Sequence, residues 1–271
     1  MSWLANKRTS LQIAIENVHD GDLVGLGGMS LYRRPVAGVL ELIRQGRREL
    51  RLLDYIGGFE GDILIGSGCV AEVRSCYFGM DVLGLAPMHR RAVGEGRLGV
   101  VQETEMTVAV GLRATRSGVD FIPARIFAET DMAQIRTDLE HVDSPYSGVS
   151  YVAIPAIEPD VAIIHALLAD EAGNTILGGE YNLDQDLAAA ARRTIVTAER
   201  IVDTEVIEEH GADIPGAWVD HVVEASSGAR PTSCYPEYEV DLEFLADYVE
   251  ACGDGQFEAF LDERLLQREP A

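Results

Sequence analysis

The chain has 271 residues, of which 47% are hydrophobic and 25% charged, and its formal net charge is −23. Nucleic acids and anionic membranes bind clustered Lys and Arg, so this charge excludes both as partners. No apolar run approaches the about 20 residues that cross a bilayer, and none follows Lys7 and Arg8 as it would in a secretory signal. We therefore expect a soluble, cytoplasmic protein.

Helical and strand patterns alternate in the first half of the chain. An amphipathic helical pattern covers residues 9–19, and the apolar run Leu23–Leu26 predicts a short buried strand. Pro35 is suited to open the next helix, which should stop near Gly46. Further strands are predicted at 50–55, 73–78 and 121–123, with a helix at 103–117.

The second half continues the alternation. Strands are predicted at 150–154, 161–167, 194–197 and 219–224, a helix at 183–191, and a helical tail at 241–266 that breaks at 253–255. Alternating strands and helices predict an α/β fold with a mainly parallel sheet flanked by helices. We assign residues 1–271 to a single domain, with a possible internal boundary near 137–148.

The first candidate site is the sequence GLGGMSLYRRP at residues 25–35. Glycines let backbone N–H groups approach a ligand, and the start of a helix favours anions, so we expect free N–H groups here. Ser30 occupies the position of the third glycine of a dinucleotide-binding fingerprint, and no acidic residue follows at the required distance. A nucleotide site is therefore disfavoured.

Two acids, Glu103 and Glu105, mark the start of the predicted helix at 103–117. They could simply interact with the helix dipole. Because they are two residues apart, they should point to different faces, so one could serve a site while the other is solvated.

Other polar motifs have plainer interpretations. The turn that begins at Asp170 should be structural, and His165, on an apolar strand, should be a core residue. The segment 227–235, rich in turn residues, could line a site or cross the surface. Cys69, Cys76, Cys234 and Cys252 lack zinc-ligand spacing, so we predict no metal site.

Lysine is nearly absent, because Lys7 is the only one among 22 basic residues. An acidic surface with almost no lysine suggests a halophilic protein, since high salt screens self-repulsion. Codon bias towards arginine would explain the same composition.

In their order along the chain, several segments resemble the A (alpha) subunits of the family I CoA-transferases. They include Gly27 to Pro35, 62–68, 121–123, 159–166, 194–197, 213–216, and Gly228-Ala229 with 233–235. The resemblance spans about residues 9 to 250.

This resemblance implies a CoA-transferase fold, related to that of sugar-phosphate isomerases. It also implies a B (beta) subunit whose nucleophilic glutamate forms a glutamyl-CoA thioester, in a heterodimer or heterotetramer. A CoA thioester would be the substrate, with no permanently bound cofactor. The pattern of that glutamate is missing here; Glu180, the nearest look-alike, follows its glycines instead of preceding them. The implied substrate-binding residues are Gly27, Gly28, Met29, Ser30, Arg33, Arg34 and Gly228.

The implied catalytic residue is Glu105, where the transferases resembled usually carry Gln. An amide can donate a hydrogen bond to a thioester oxyanion, whereas an ionised Glu cannot. Steroid-ring-opening hydrolases of the same superfamily resemble this chain in having Glu here as a base. Three hypotheses therefore stay open: one half of a two-chain transferase, an acyl-CoA hydrolase or lyase that uses Glu105, and a non-catalytic module that binds acyl-CoA or a sugar phosphate.

Overall fold

A computed structural model describes residues 6–127, 130–179 and 181–267. Its strands are β1 (Leu23–Leu26), β2 (Leu50–Leu53), β3 (Ile56–Gly57), β4 (Val70–Ser75), β5 (Tyr77–Phe78), β6 (Gly99–Gln102), β7 (Phe121–Ala124), β8 (Glu140–Asp143), β9 (Ser150–Pro155), β10 (Val161–Ala169), β11 (Thr175–Ile176), β12 (Thr194–Ile201) and β13 (His221–Glu224). The large sheet has the order β13-β12-β10-β1-β2-β4-β6 with all neighbours parallel, and β11 joins β10 antiparallel. The predicted mainly parallel sheet is confirmed.

Helices cover both faces of this sheet. They are α1 (Leu11–Ile15), α2 (Val36–Arg44), α3 (Phe59–Gly66), α4 (Pro87–Gly94), α5 (Glu105–Arg116), α6 (Met132–Ile135), α7 (Asp184–Ala190), α8 (Thr204–His210), α9 (Leu242–Gly253) and α10 (Phe257–Phe260), followed by a π-helical turn at Leu261–Leu266. One apolar core lies between the sheet and α1, α2, α3, α4, α9 and α10, and the other between the sheet and α5 and α7. Within the described residues, no helix is both long and apolar enough to span a bilayer.

The predicted bounds need several corrections. The first helix ends at Ile15, because Asn17 turns back and its side-chain amide donates to the Ile13 carbonyl. The predicted strand at 73–78 is two strands, β4 and β5, in different sheets. The predicted helix at 103–117 begins at Glu105, because Thr104 caps it. Strands β3, β6, β8 and β11 and helices α3, α4, α6 and α8 were not predicted.

A second, three-stranded antiparallel sheet has the order β7-β9-β8 and packs against α5. Val110 of α5 joins Val152 and Ile154 of β9 in a small apolar cluster. The possible boundary at 137–148 falls inside this sheet, because it contains β8. The single-domain assignment stays a prediction.

Candidate active site

The carboxyl ends of the parallel strands all lie on the same side of the large sheet. The glycine loop follows β1, Asp54 and Tyr55 follow β2, Cys76 follows β4, and Glu103 to Glu105 follow β6. Ligands of open parallel sheets bind outside this edge. Several predicted site residues therefore share one edge although they are far apart in sequence.

Hydrogen bonds to other parts of the chain fix the glycine loop. Gly27 N–H donates to the Ile163 carbonyl at 2.9 Å, and Gly28 N–H donates to Asp184 Oδ1 at 2.8 Å. Met29 and Ser30 also donate their N–H groups internally, to the carbonyls of Tyr32 and Ile56. The expectation of free N–H groups is therefore wrong for these four donors, because each has an internal acceptor.

Gly28 is required by the shape of the loop. Its φ is +76°, and a Cβ built there would lie 2.4 Å from the Tyr32 carbonyl oxygen and 2.5 Å from that of Arg33. Ser30 also has a positive φ, 51°, and its hydroxyl is buried without a hydrogen-bond partner among the described residues. The binding role of Gly27, Gly28, Met29 and Ser30 stays a prediction.

The two arginines of the loop are buried in ion pairs. Arg33 contacts Asp184 Oδ2 at 2.9 Å and the His165 carbonyl at 2.8 Å. Arg34 is fully buried and pairs with both Asp54 and Glu60. Internal carboxyl groups thus hold both guanidinium groups, which anchor the loop. Their predicted contact with substrate remains untested.

The two acids after β6 have different surroundings. Glu103 is buried and pairs with Arg74 at 2.6 Å and Arg136 at 2.7 Å, while the Thr107 hydroxyl donates to it at 2.6 Å. Glu105 is exposed and is the first residue of α5. The two side chains differ in burial and partners, and Glu103 is the structural one. The catalytic role of Glu105 stays a prediction.

Tyr55 and Cys76 lie near Glu105, a proximity that the sequence pattern did not predict. Burial raises the pKa of Tyr55 to about 12 and that of Cys76 to about 12, and the charge of Glu105 adds to both shifts. The Cys76 thiol donates to the Tyr55 carbonyl at 2.6 Å. A phenol and a thiol that both stay protonated at neutral pH therefore lie near an exposed carboxylate. No motif marks them, because each simply follows a different strand.

The segment 227–235 lies beside the glycine loop. Arg33 N–H donates to the Ser233 carbonyl at 2.7 Å, and Ser233 N–H donates to the Leu31 carbonyl at 2.9 Å. Gly228 is packed tightly, since a Cβ there would lie 2.9 Å from His165 Cε1. A cavity of about 400 Å³ opens at this junction, lined by Tyr32, Arg33, Gly178, Gly179, Ser233, Tyr235, Tyr238, Glu239 and Val240. The substrate-binding role predicted for Gly228 is untested.

His165 is a hydrogen-bonded core residue, as the sequence indicated. Its ring contacts Thr197 Oγ1 at 2.9 Å and Glu199 Oε1 at 2.8 Å, and burial lowers its pKa. Atoms of His165, Glu199 and Cys234 lie within 4.8 Å of one another, close enough to hold a metal ion. However, Glu199 already accepts hydrogen bonds from His165, Tyr238 and the Ser227 N–H. An ion would have to displace them, and the predicted lack of a metal site stays a prediction.

Two other motifs can be placed. Asp170 stabilises its turn, since Oδ1 accepts from the N–H groups of Ala172 and Asn174, which confirms the structural interpretation. Glu180 lies outside the described residues.

Comparison with known proteins adds a family. The sequence model of the coenzyme A transferase family matches residues 8–225. The A subunit of glutaconate CoA-transferase from Acidaminococcus fermentans is 34% identical over 251 residues, covering 85% of this chain and 78% of that one. The crystal structure of glutaconate CoA-transferase from that organism matches with a TM-score of 0.91 at 32% identity, covering 97% of this chain and 90% of the other. The predicted CoA-transferase fold is confirmed.

Two further relatives differ in kind. The IpdA subunit of the cholesterol ring-cleaving hydrolase of Rhodococcus jostii is 31% identical over 261 residues, covering 91% of this chain and 87% of its own. An uncharacterised protein of Archaeoglobus fulgidus is 37% identical over 251 residues, covering 91% of this chain. The chain spans only 56% of the length of that archaeal relative. The relatives of this chain therefore include a subunit of a CoA-transferase and a subunit of a hydrolase.

Proposed function

Because this chain belongs to the coenzyme A transferase family, as a counterpart of its A subunits, we propose that it works in a two-subunit enzyme that moves CoA between carboxylic acids. The observation that carries the proposal is the match to the A chain of a transferase over nearly the whole sequence. A CoA thioester is the substrate, and a B subunit supplies the nucleophilic glutamate. The resulting glutamyl-CoA thioester splits the transfer into two acyl exchanges. The assembly is a heterodimer or heterotetramer.

The role of this chain in the transfer is to shape one wall of the site. Asp184 and Arg33 fix the glycine loop on one side, and the Arg34 ion pairs fix it on the other. A rigid loop supports orientation of the thioester relative to the partner's carboxylate. The protonated Tyr55 phenol, which lies near Glu105, is a group that could donate to a carbonyl oxygen.

The second candidate is a hydrolase on the same scaffold, and the exposure of Glu105 at the start of α5 favours it. In this reaction Glu105 would accept a proton from water as the water attacks an acyl-CoA carbon. The ring-cleaving hydrolase among the relatives supports this alternative. A non-catalytic acyl-CoA or sugar-phosphate binding module is the third.

Co-expression with a B subunit tests these functions. The purified pair is offered acyl-CoA thioesters with and without carboxylate acceptors, and the products are identified by mass spectrometry. We expect CoA transfer by the pair and none by this chain alone. Product formation with water only would identify a hydrolase, and binding without turnover a binding module. Turnover by the single chain would contradict the proposal.

We assign the enzyme to the cytoplasm, since all four cysteines are free thiols.

A further inference from the structure

The three-stranded sheet carries a cavity on the face that packs against α5. On that face, Val110 of α5 meets Val152 and Ile154 of β9. Ala124 and His141 are the register partners of Val152 on the two neighbouring strands, so all three side chains point to the same face. The same three residues line a cavity of about 400 Å³, a volume within the range of ligand sites. We call it the small-sheet cavity.

The lining of this cavity combines apolar side chains with unused hydrogen-bond donors. Six of its eleven lining residues are apolar. Within the described residues, no hydrogen bond or ion pair engages the side chains of Arg125, Thr137, His141 and Ser150, which also line it. No described Asp or Glu lines the cavity, although the chain has 45 acidic and 22 basic residues. A carboxylate on a hydrocarbon chain matches this lining, because the donors suit its oxygens and the apolar residues its methylene groups.

Arg136 connects the cavity to the carboxyl ends of the large sheet. It lines the cavity, and its Nη1 donates to Glu103 Oε2 at 2.7 Å. Glu103 precedes Glu105 by two residues, a span of at most about 7 Å. Met106, the next residue of α5, is 51% exposed and lies one turn before Val110, on the face that packs against the three-stranded sheet. The small-sheet cavity therefore adjoins the first turn of α5, where Glu105 lies.

We propose that the small-sheet cavity holds the acyl group of the CoA thioester and that Arg125 binds a second carboxylate at the far end of this group. The inference rests on the proposed function and deepens it, because it selects thioesters of dicarboxylic acids among the acyl-CoA substrates. A planar guanidinium can bind a carboxylate through two parallel hydrogen bonds. Arg125 is exposed and has no ion pair among the described residues, whereas Arg136 is buried and pairs with Glu103 and Asp138.

Pairs of matched thioesters test this assignment on the enzyme co-expressed with its B subunit. Succinyl-, glutaryl- and adipyl-CoA are compared with butyryl-, valeryl- and hexanoyl-CoA, which have the same number of carbon atoms but end in a methyl group. Turnover is measured as kcat/KM, counting both transfer to acetate and hydrolysis. We expect the wild type to favour at least one dicarboxylic thioester over its methyl-ended partner.

The variant R125Q should remove this preference. Its kcat/KM for the favoured dicarboxylic thioester should fall about 10- to 100-fold, because hydrogen bonds to a charged group are lost. The methyl-ended partner should react at nearly the wild-type rate. R125K should recover part of the loss, since Lys keeps the charge but not the planar geometry. The matched control is R113Q, because Arg113 is exposed on α5, pairs with Asp186 and does not line the cavity.

Two outcomes would overturn the inference. One is a wild type without preference for any dicarboxylic thioester. The other is an equal loss for both members of a pair in R125Q, which would assign Arg125 to the CoA portion or to folding, and melting curves of the variants separate these two. Dissociation constants from calorimetry distinguish the inference from the proposed function. Arg125-dependent binding of a dicarboxylic thioester without turnover would contradict the proposed function alone, and a pair that binds none of the thioesters would contradict both.

Discussion

Glu105 is the side chain that best separates the two enzymatic functions. It is exposed at the first position of α5, and its neighbours Tyr55 and Cys76 carry no charge at neutral pH. If Glu105 is the base of a hydrolase, E105Q should lower the hydrolysis rate about 100- to 10,000-fold, because an amide cannot accept the proton. If the enzyme is a transferase, the variant restores the amide of the transferases it resembles, and transfer should persist or improve.

The matched control for that experiment is E103Q, two residues earlier. Glu103 pairs with Arg74 and Arg136, so its neutralisation should cost about 3–5 kcal/mol of unfolding free energy. E105Q should cost no more than about 1 kcal/mol, as expected for an exposed acid at a helix start. Both variants are assayed for transfer, hydrolysis and urea unfolding with the partner present. A hydrolysis rate that E105Q leaves unchanged would contradict the role of Glu105 as the base.

Asp54 should make stability depend on pH. Burial raises its pKa to about 8 from 3.8, with Arg34 opposing the shift and Glu60 adding to it. The folded protein therefore holds a proton that the unfolded chain releases above about pH 4. This proton's contribution to stability is present below pH 4 and is lost as the pH rises through 8, with a slope of at most about 1.4 kcal/mol per pH unit.

The variant D54N isolates this effect, because its amide resembles the neutral carboxyl group. Between pH 6.5 and 8, the unfolding free energy of the wild type should fall, and that of D54N should fall less. Urea unfolding at several pH values in this window measures both slopes. Equal slopes would show that Asp54 is ionised throughout the window.

The glycine loop depends on backbone geometry, which a pair of glycines can test. A Cβ at Gly28 would collide with two carbonyl oxygens, while one at Gly21, with a similar φ of +84°, would meet nothing within 4 Å. G21A should therefore cost about 1–2 kcal/mol of unfolding free energy from strain alone. G28A should cost about 1–3 kcal/mol more from overpacking, and activity with the partner should fall. Equal losses of stability in the two variants would contradict a steric requirement at Gly28.

Helices and strands were predictable where one face is apolar and the other polar, or where a short run of residues is entirely apolar. Strand β1 has its predicted bounds because all four of its residues are buried. Helix α3 was missed because seven of its eight residues are buried, so it shows no amphipathic period. Strand β6 was missed for the opposite reason, because its exposed residues at an open edge show no buried alternation.

The site was predictable only in part, because the fold assembles it from distant segments. The glycine loop and Glu105 were identified from local patterns together with the resemblance, whereas Tyr55 and Cys76 reach Glu105 through the pairing of β2, β4 and β6. The internal use of Arg33 and Arg34 depends on Asp184, Asp54 and Glu60. The positions of these residues in the sequence do not reveal the ion pairs, because the order of the strands in the sheet determines which residues meet.

The net charge of −23 should make the stability of the folded protein depend on ionic strength. Compaction brings like charges together, and their repulsion extends over a Debye length of about 30 Å at 0.01 M salt but only about 3 Å at 1 M. We expect the melting temperature to rise as KCl increases from 0.01 M to molar concentration. Sucrose is the control, because it stabilises folded proteins by exclusion without screening charge. A melting temperature that is flat or falls with KCl would contradict halophilic adaptation, and codon bias would then explain why 21 of the 22 basic residues are arginine.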